Sequence, residues 1–484
     1  MFKMPDKGFD EDEVFARLTA FAKSDVPWRE GKTLAYIYDG GADVERVAKR
    51  AYMQYLTENA LDPTVYPSLA RMERELVGFA AAHLGGNEEV VGNFTSGGTE
   101  SCLLAVKTAR DRLRAKKPEV RQPEIVLPVT AHAAFHKGAE YFGLKKVLVP
   151  VDPQSFKAIP AEIEKAVTPN TALIVGSAVS YAHGVVDPIA EMGAIAKDRD
   201  VLFHVDGCIG GFILPYFRRL GAAATPFDFS VPGVTSMSMD WHKYAYCPKG
   251  ASVVLYKDKA LRRFQLFACA EWTGYAIVNP TILSAKSGGP LAAAWAVINY
   301  LGDNGYLALA RRTLSATETI KAGIRAIAGL QILGEPEANL VAFASDEFPI
   351  FNVIDEMKKE GWYIQPQFGF HGSKPNIHLS IGQSAFEKAD AFVADLATAV
   401  TRARAIPPSP LVAMVKAELA KAPPGAPPDP AQLQMLMSAI GISDGRLPER
   451  MADLNQILDI LPPEVTKFAL TDFFNDLIVQ PRRK

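Results

Sequence analysis

The feature that most constrains the fold is an alternation of short apolar runs with helical stretches between residues 67 and 256. The runs are rich in β-branched residues, whereas the stretches between them repeat apolar residues at helical spacing. In chain order the runs are VVGNF, EIVLPV, KKVLVPV, TALIVGSAV, VLFHVDG, TSMSM and ASVVLY. This alternation predicts an α/β domain built around a sheet.

The whole chain of 484 residues divides into four predicted segments. Residues 1–66 hold one or two helical patterns with too little apolar sequence for a separate core, so we expect an arm. The α/β domain occupies 67–290, and a smaller α+β domain follows at 291–404. Its strand patterns are LQILGE, LVAFAS, GWYIQPQ and NIHLSIG. We expect 405–484 to be a Pro- and Ala-rich tail whose amphipathic helices pack on the body.

Charge and cysteine usage limit the possible partners and location. The chain carries 52 basic and 54 acidic residues, so no excess charge attracts nucleic acid or a membrane surface. The chain contains no run of about 18 uncharged apolar residues, so we expect no integral membrane segment. The first residues lack the apolar region of a signal peptide. The four cysteines have neither disulfide nor metal-ligand spacing, which predicts free thiols, no metal site and a cytoplasmic protein.

A glycine-containing turn joins the first predicted strand to a helix in NFTSGGTES. Glycine lets a backbone approach an anion closely, and the free amides at a helix start favour phosphate. Ser96, Gly97, Gly98 and Thr99 are therefore candidates to bind a phosphate group. The alternative is an ordinary capped turn with Ser96 or Thr99 as the N-cap.

Two further polar residues stand at the ends of predicted strands. His132 follows EIVLPV, where an imidazole can lie flat on a planar ring and transfer protons, or can simply cap a helix. Asp206 ends VLFHVDG, where a carboxylate needs a cationic partner because burying an unpaired charge is costly. A pyridinium nitrogen would supply that cation, and a structural ion pair or a helix N-cap is the alternative.

Lys243 lies in SMSMDWHKYAYCPKG, just after the sixth apolar run. Its aromatic neighbours Trp241, Tyr244 and Tyr246 are expected to withdraw it from water, so that its pKa falls and the free amine attacks an aldehyde. Taken singly, a lysine among aromatic residues is more often solvated or in a cation–π contact. As a set, the turn, the histidine, the aspartate and the lysine, each at the end of a strand of one sheet, predict a pyridoxal 5′-phosphate site. Asp206 would keep the pyridine nitrogen protonated, and Lys243 would hold the aldehyde as a Schiff base.

Longer blocks of the sequence resemble a known enzyme family. The blocks are TSGGTES, AHAAFHKGAEYFG, HGVVDPI, HVDGCIGGF, DFSVPGVTSMSMDWHKYAYCPKGASVVLY and NPTILSAKSGGPLAAAWAVINYLGDNGYL. They are similar to the sphingosine-1-phosphate lyases, within the fold-type I pyridoxal phosphate enzymes related to group II amino-acid decarboxylases. The resemblance covers about residues 30–400, and AIGISDGRLPER at 439–450 resembles the family's last helices.

The resemblance implies an architecture and an assembly. The implied fold-type I architecture is a large domain with a mixed, mostly parallel seven-stranded sheet flanked by helices, followed by a smaller C-terminal α+β domain. The implied assembly is a homodimer with active sites at the subunit interface, to which the segment NPTILSAKSGG lends contacts.

The resemblance also implies roles for individual residues. Lys243 is the implied Schiff-base lysine, Asp206 the pyridinium partner and His132 the residue that stacks on the ring. The implied cofactor contacts are Ser96, Gly97, Gly98, Thr99, His132, Asp206, His242, Lys243 and Gly288. The implied reaction is retro-aldol cleavage of a phosphorylated long-chain amino alcohol to a fatty aldehyde and phosphoethanolamine. His132, a tyrosine or the cofactor phosphate would take the hydroxyl proton.

The implied substrate contacts match the family's pattern only in part. They are Tyr38, Asn59, Asp62, Tyr246, Lys249 and Lys286. Asp62 stands where the family has a histidine, and Lys286 stands where it has an arginine. A carboxylate beside a phosphate dianion costs about 1 kcal/mol, roughly a tenfold loss in affinity, unless a lysine such as Lys249 neutralises it.

Two other functions remain open from the sequence. An amino-acid α-decarboxylase would use the same lysine, aspartate and histidine, with Lys286 or Lys249 as the cation for the substrate carboxylate. A cofactor-binding fold without catalysis, acting as a regulator or scaffold, is the third possibility. The intact set of Lys243, Asp206 and His132 argues against it.

Overall fold

The computed structural model describes residues 4–222, 225–420 and 450–477. Its strands are β1 Val91–Thr95, β2 Glu124–Pro128, β3 Lys145–Val149, β4 Thr171–Ser177, β5 Leu202–Asp206, β6 Ser236–Met239, β7 Ser252–Tyr256, β8 Phe267–Cys269, β9 Ile277–Asn279, β10 Gln331–Ile332, β11 Leu340–Ala344, β12 Gln365–Gln367 and β13 Asn376–Ser380. The block AIGISDGRLPER at 439–450 lies outside the described residues except for Arg450.

In chain order, the α-helices are α1 Glu11–Phe21, α2 Ala42–Gln54, α3 Pro67–His83, α4 Gly98–Lys116, α5 Ala133–Phe142, α6 Pro160–Ala166, α7 Ile189–Asp198, α8 Gly210–Arg219, α9 Lys259–Arg262, α10 Gly288–Ala326, α11 Phe351–Lys359, α12 Ala389–Arg404, α13 Pro410–Leu419, α14 Met451–Ile460 and α15 Pro463–Leu477. Short 3₁₀ helices lie at Ala22–Ser24, Trp28–Glu30 and Gln383–Lys388. None of these helices is long and apolar enough to cross a bilayer.

All seven predicted runs form strands of a single sheet, in the order β1-β7-β6-β5-β4-β2-β3. Strand β7 is antiparallel to both of its neighbours, and the other neighbouring strands are parallel. Strands β2, β4 and β5 are buried along their whole length because helices cover both faces, which is why they read as continuous apolar runs. The predicted mixed, mostly parallel seven-stranded sheet is confirmed.

A second, antiparallel sheet has the order β10-β11-β13-β12 and contains the four strands predicted beyond residue 330. A separate hairpin of β8 and β9 was not predicted. Its strands have three residues each and no buried residue, so the sequence carries no alternating pattern there.

Buried apolar residues of the described segments form three large clusters. The first and the third share the strands of the seven-stranded sheet, whereas the second lies around the smaller sheet. The arm joins the first and the second, because Val44 packs in the first cluster and Leu34 in the second. Helix α1 has no buried residue. The predicted domain boundaries remain predictions.

The described part of the tail packs on the smaller domain through α14. A cluster that includes Val412 and Ile457 joins α13 to α14. The carboxylate of Asp355 on α11 accepts hydrogen bonds from the backbone amides of Met451 and Ala452, each at 3.1 Å. A buried carboxylate therefore holds the start of α14 against the body.

Candidate active site

The predicted phosphate turn lies between β1 and α4. Gly97 is the N-cap residue of α4, and no side chain caps the helix. The backbone amide and hydroxyl of Ser96 both donate to the Glu100 carboxylate, at 2.6 and 2.7 Å. Neither Ser96 nor Thr99 is therefore a side-chain N-cap, and the first turn of α4 keeps amides that an anion can bind.

Glu100 anchors this turn and was missed by sequence reasoning. It is buried, and its second carboxylate oxygen accepts hydrogen bonds from the amides of Ile282 and Leu283, at 2.8 and 3.3 Å. The same carboxylate thus fixes the phosphate turn and the segment 282–283 relative to each other.

Close packing at the turn requires glycine at position 98. A Cβ atom there would lie 2.7 Å from an Asp240 carboxylate oxygen and 2.8 Å from the Cys208 sulfur. Backbone approach of this kind is the reason that glycine occurs in anion-binding turns. Helix α4 consequently begins directly beside the loop that carries the candidate lysine.

Lys243 forms an ion pair with Asp240, three residues upstream, with 2.9 Å between Nζ and Oδ2. Asp240 is 1% exposed, and His242 Nε2 lies 3.6 Å from the same oxygen. Burial acts to lower the pKa of Lys243, but attraction to Asp240 outweighs it and raises that pKa above the ordinary value. The expected fall in pKa is therefore not found, because the acid in the same segment holds the proton on the amine.

The neighbours of Lys243 remain suited to a water-poor site. Burial lowers the pKa of His242 to about 4, so its ring is neutral near pH 7. Burial acts to raise the pKa of Asp240, yet the adjacent Lys243 keeps it below the ordinary value. Trp241 and Tyr244 are both buried, as the sequence suggested. The wall beside Lys243 therefore combines the charged pair of Lys243 and Asp240 with a neutral imidazole and buried aromatic rings.

Asp206 ends β5 and is buried. One carboxylate oxygen accepts hydrogen bonds from the Cys208 amide at 3.0 Å and from the Ser238 hydroxyl at 3.3 Å. Ligand atoms of Cys102, Cys208 and Asp206 all lie within 4.8 Å of one another, a proximity that cysteine spacing did not indicate. The thiols line the same cavity as Asp206.

His132 caps a helix and also lines the cavity, and its predicted contact with the cofactor ring remains a prediction. It is the N-cap of α5, with Nδ1 accepting the Ala134 amide at 3.2 Å, and it also lines the cavity. Tyr181, which sequence reasoning missed, faces it edge-on with 6.1 Å between ring centroids.

The cavity has a volume of about 350 Å³. Its lining includes Ser96, Gly97, Gly98, Thr99, His132, Tyr181, Asp206, Asp240, His242 and Lys243.

A second cavity of about 370 Å³ adjoins the first, and His242 lines both. It contains three of the predicted substrate contacts: Tyr38, Tyr246 and Lys249. The Lys249 ammonium lies 4.5 Å from the centroid of the Tyr38 ring. Loss of water around this ammonium, together with repulsion from Lys243, lowers the pKa of Lys249 to about 8. We call this cavity the substrate cleft.

Other predicted contacts lie outside the described lining of both cavities. Lys286 is buried, and its ammonium contacts both oxygens of the Glu73 carboxylate at 2.6 Å. The Gly288 amide donates to the Glu58 carbonyl oxygen at 2.8 Å. Within one chain, these two residues therefore join the body to the arm and α3 instead of facing the cofactor cavity.

Asn59 and Asp62 lie in the loop between α2 and α3. The Asn59 side-chain oxygen accepts the Leu61 amide at 3.2 Å. Asp62 is exposed and accepts hydrogen bonds from the Thr64 hydroxyl and amide, at 2.7 and 2.8 Å, which lower its pKa. Both side chains stabilise the loop in the single chain, and Asp62 is bound by Thr64 instead of by Lys249.

Comparisons with known proteins agree with this geometry. The profile of the pyridoxal-dependent decarboxylase conserved domain matches residues 4–346, and that of a C-terminal putative HTH domain of pyridoxal-dependent enzymes matches 410–476. The sphingosine-1-phosphate lyase of Dictyostelium discoideum is 38% identical, over 82% of this chain and 73% of that protein. The Arabidopsis thaliana lyase is 39% identical, over 84% of this chain and 74% of that protein.

Comparison with solved structures also finds a sphingosine-1-phosphate lyase. A sphingosine-1-phosphate lyase from Burkholderia pseudomallei matches with a TM-score of 0.80 at 34% identity, covering 87% of this chain and 96% of that one. A glutamate decarboxylase from Lactobacillus brevis matches with a TM-score of 0.73 at 20% identity, covering 84% of this chain and 96% of that one, and supports the fold alone. The cofactor is pyridoxal 5′-phosphate, as predicted. The chain belongs to the pyridoxal-dependent decarboxylase family and, within it, to the sphingosine-1-phosphate lyases.

Proposed function

We propose that this chain cleaves a phosphorylated long-chain amino alcohol by a retro-aldol reaction, releasing a fatty aldehyde and phosphoethanolamine. The observation that carries the proposal is the junction of two cavities at His242. One cavity holds the candidate cofactor residues, and the other is lined by Lys249, whose ammonium group suits a phosphate. The names of the relatives, at 38% and 39% identity, support the same substrate class.

Four elements of the cofactor cavity fit pyridoxal phosphate. The amides of the turn 96–99 would bind its phosphate, because the start of α4 lacks a side-chain cap. Asp206 would pair with the pyridine nitrogen, His132 would lie on the ring, and Lys243 would hold the aldehyde. When bound, the cofactor draws electrons away from a bond beside the substrate nitrogen. The requirement for glycine at position 98 supports this arrangement, because a Cβ there would contact both Asp240 and Cys208.

Proton transfers accompany the cleavage. Lys243 loses a proton before it reacts as a free amine, and the Asp240 carboxylate lies 2.9 Å from its nitrogen. In the cleavage, the substrate hydroxyl loses its proton, its oxygen forms the aldehyde C=O, and the Cα–Cβ bond breaks. The Cα atom then takes up a proton. Lys243 and His132 both line the cavity and are the proposed carriers.

The substrate phosphate is assigned to the cleft beside Tyr38. A phosphate dianion favours the charged form of Lys249, whose pKa is about 8 in the free chain. The side chains of Tyr38 and Tyr246 line the same cleft. Asp62 is absent from the cleft lining within one chain, so the predicted repulsion would act only on a site shared between subunits.

An α-decarboxylase is the less favoured function. It requires a cation for the substrate carboxylate, and Lys286 is bound at 2.6 Å by Glu73. Removing Lys286 from that buried pair would leave Glu73 uncompensated, which is costly. Lys249 is then the remaining candidate of the two lysines.

We also propose that the chain acts as a homodimer in the cytoplasm. Helix α1 has no buried residue, and Phe15 and Phe21 are 59% and 74% exposed. The hairpin of β8 and β9 exposes Phe267 and Val278 in the same way. Apolar faces of this kind are typical of surfaces that a second subunit covers. Four free cysteines favour a reducing compartment.

A product assay tests the proposal directly. The purified, cofactor-loaded protein is incubated with sphingosine phosphate, and aldehyde and phosphoethanolamine are measured. A panel of amino acids is tested in parallel for release of carbon dioxide. Carbon dioxide without aldehyde would favour the decarboxylase. The absence of both products would overturn both functions.

A further inference from the structure

Tyr181 lines the cofactor cavity but is held by the smaller sheet. Its hydroxyl donates to the Gln365 side-chain oxygen at 2.8 Å. Its ring stacks on His378, with 4.5 Å between centroids and 25° between planes. Gln365 on β12 and His378 on β13 are directly opposite each other in the sheet. A single cross-strand pair therefore holds this side chain through two different contacts.

The next cross-strand pair holds the next residue. Gln367 and Asn376 are opposite each other, and Gln367 Nε2 donates to the Ala182 carbonyl at 3.0 Å and to the Asn376 oxygen at 2.7 Å. His183 Nε2 lies 3.0 Å from the Ser373 hydroxyl. The smaller sheet and the loop before β13 thus contact three successive residues of the larger domain. We call these contacts the 181–183 clamp.

The direction of the hydrogen bond decides what Tyr181 offers to the cavity. A neutral phenol has one donor and two acceptor sites. Because its proton goes to Gln365, only acceptor sites remain for a ligand. Burial is the main reason that the pKa of Tyr181 is raised, so the phenol stays protonated near pH 7. Burial also lowers the pKa of His378 to about 3, so the stacked ring is neutral.

A neutral phenol whose proton is already donated discriminates between ligand groups that donate a hydrogen bond and groups that only accept one. It can bind a substrate hydroxyl, which donates, but it cannot donate to a carboxylate, which only accepts. Retro-aldol cleavage begins from a hydroxyl group that must lose its proton, whereas decarboxylation begins from a carboxylate. Because the phenol held by the 181–183 clamp accepts a hydrogen bond and does not donate one, the clamp favours retro-aldol cleavage over decarboxylation.

We propose that Gln365 is a positioning residue, which holds the Tyr181 phenol as a hydrogen-bond acceptor for the β-hydroxyl group of the substrate. The inference rests on the proposed retro-aldol function and deepens it. It gives the smaller sheet a direct part in the site, although most of the candidate cofactor residues follow strands of the larger sheet.

The chain offers a matched control for the test. Gln365 and Gln367 are both half-buried, lie on the same face of β12, and each bonds to the segment 181–182. Only Gln365 touches the phenol. On a phosphorylated long-chain amino alcohol, we expect Gln365→Leu to lower kcat about tenfold with KM changed less than about twofold. Gln367→Leu should change kcat by less than about threefold.

Two further variants separate positioning from general damage. Gln365→Glu keeps an acceptor for the phenol proton and should restore kcat to within about threefold of the parent. Tyr181→Phe should lose as much activity as the double variant with Gln365→Leu, because Gln365 acts through the phenol. An analogue without the β-hydroxyl should bind all variants equally, as followed by cofactor absorbance.

The outcomes are distinct. If the parent protein cleaves no hydroxylated amine, the proposed function fails and this inference fails with it. If the parent cleaves the substrate but the two leucine variants are equally active, the positioning role is overturned while the function stands. Parallel loss of affinity for the analogue would also overturn it, since the change would not be confined to the hydroxyl. A glutamate variant as poor as the leucine variant would show that Gln365 donates the bond.

Discussion

The cofactor cavity and the substrate cleft are assembled in different ways. The predicted residues of the cavity follow β1, β2, β5 and β6, whose carboxyl ends meet at the same edge of the large sheet. The cleft instead combines Tyr38 from the arm with Lys249, which follows β6. A site at the edge of a sheet is set by strand order, whereas a site against an arm depends on packing between distant segments.

The cavity and the cleft consequently differ in how many of their predicted contacts a single chain brings together. The cofactor cavity contains every predicted cofactor contact except Gly288. The substrate cleft contains three predicted contacts, and Asn59, Asp62 and Lys286 lie elsewhere in the single chain. Substitutions in the two regions should therefore differ in kind, with loss of the reaction in the cavity and loss of substrate affinity in the cleft.

The largest effect is expected for Lys243→Ala in the cavity. Without the amine, the covalent link to the cofactor cannot form, and activity should fall by about 10⁴-fold or more. The parent protein should show visible cofactor absorbance that borohydride bleaches, with the label on Lys243. A Lys243→Ala protein that regained full activity on addition of cofactor would contradict this assignment.

Lys249→Met in the cleft should weaken substrate binding without removing the reaction. Loss of a charge-assisted hydrogen bond to phosphate costs about 1.5–3 kcal/mol, which is roughly ten- to a hundredfold in KM. The same amine without its phosphate group is the control, and its KM should stay within about twofold. Equal losses for both amines would place Lys249 outside the phosphate site.

The pH dependence of phosphate binding should identify Lys249. Its pKa of about 8 in the free chain means that the ammonium loses its proton as pH rises through that value. Binding favours the charged form, so affinity should be full below about pH 7.5 and fall by up to about tenfold for each unit above pH 8. Lys249→Met should lack this decline, and an unchanged profile in that variant would assign it to another group.

The smallest effect is expected for Asp62→His, which tests whether the cleft is completed by a second subunit. Removing a carboxylate near phosphate should tighten binding of phosphorylated substrates by up to about tenfold. Because Asp62 is exposed and absent from the cleft of its own chain, an effect requires a partner. Unchanged affinity in a protein that sediments as a dimer would remove Asp62 from the substrate site.

The chain's local pattern was enough to predict an α/β domain and the position of its seven strands, whereas the mixed, mostly parallel arrangement of the sheet was implied by the family resemblance. Its buried strands are continuous β-branched runs, and such runs need a sheet covered on both faces. The same pattern placed His132, Asp206 and Lys243 at strand ends, so their convergence followed from the topology. The hairpin of β8 and β9 was missed because short, exposed strands leave no periodic signal.

Tertiary structure alone decided which charges and hydrogen bonds each residue meets. Lys286 was predicted to contact the substrate, and within one chain the fold places it against Glu73, 213 residues away in sequence. Tyr181 lines the cavity and bonds to Gln365, 184 residues away. The pKa of Lys243 rises instead of falling because Asp240 is folded back against it at 2.9 Å. Apolar periodicity sets which residues are buried, but electrostatic and hydrogen-bond partners depend on distances of a few ångströms that only the packed chain defines.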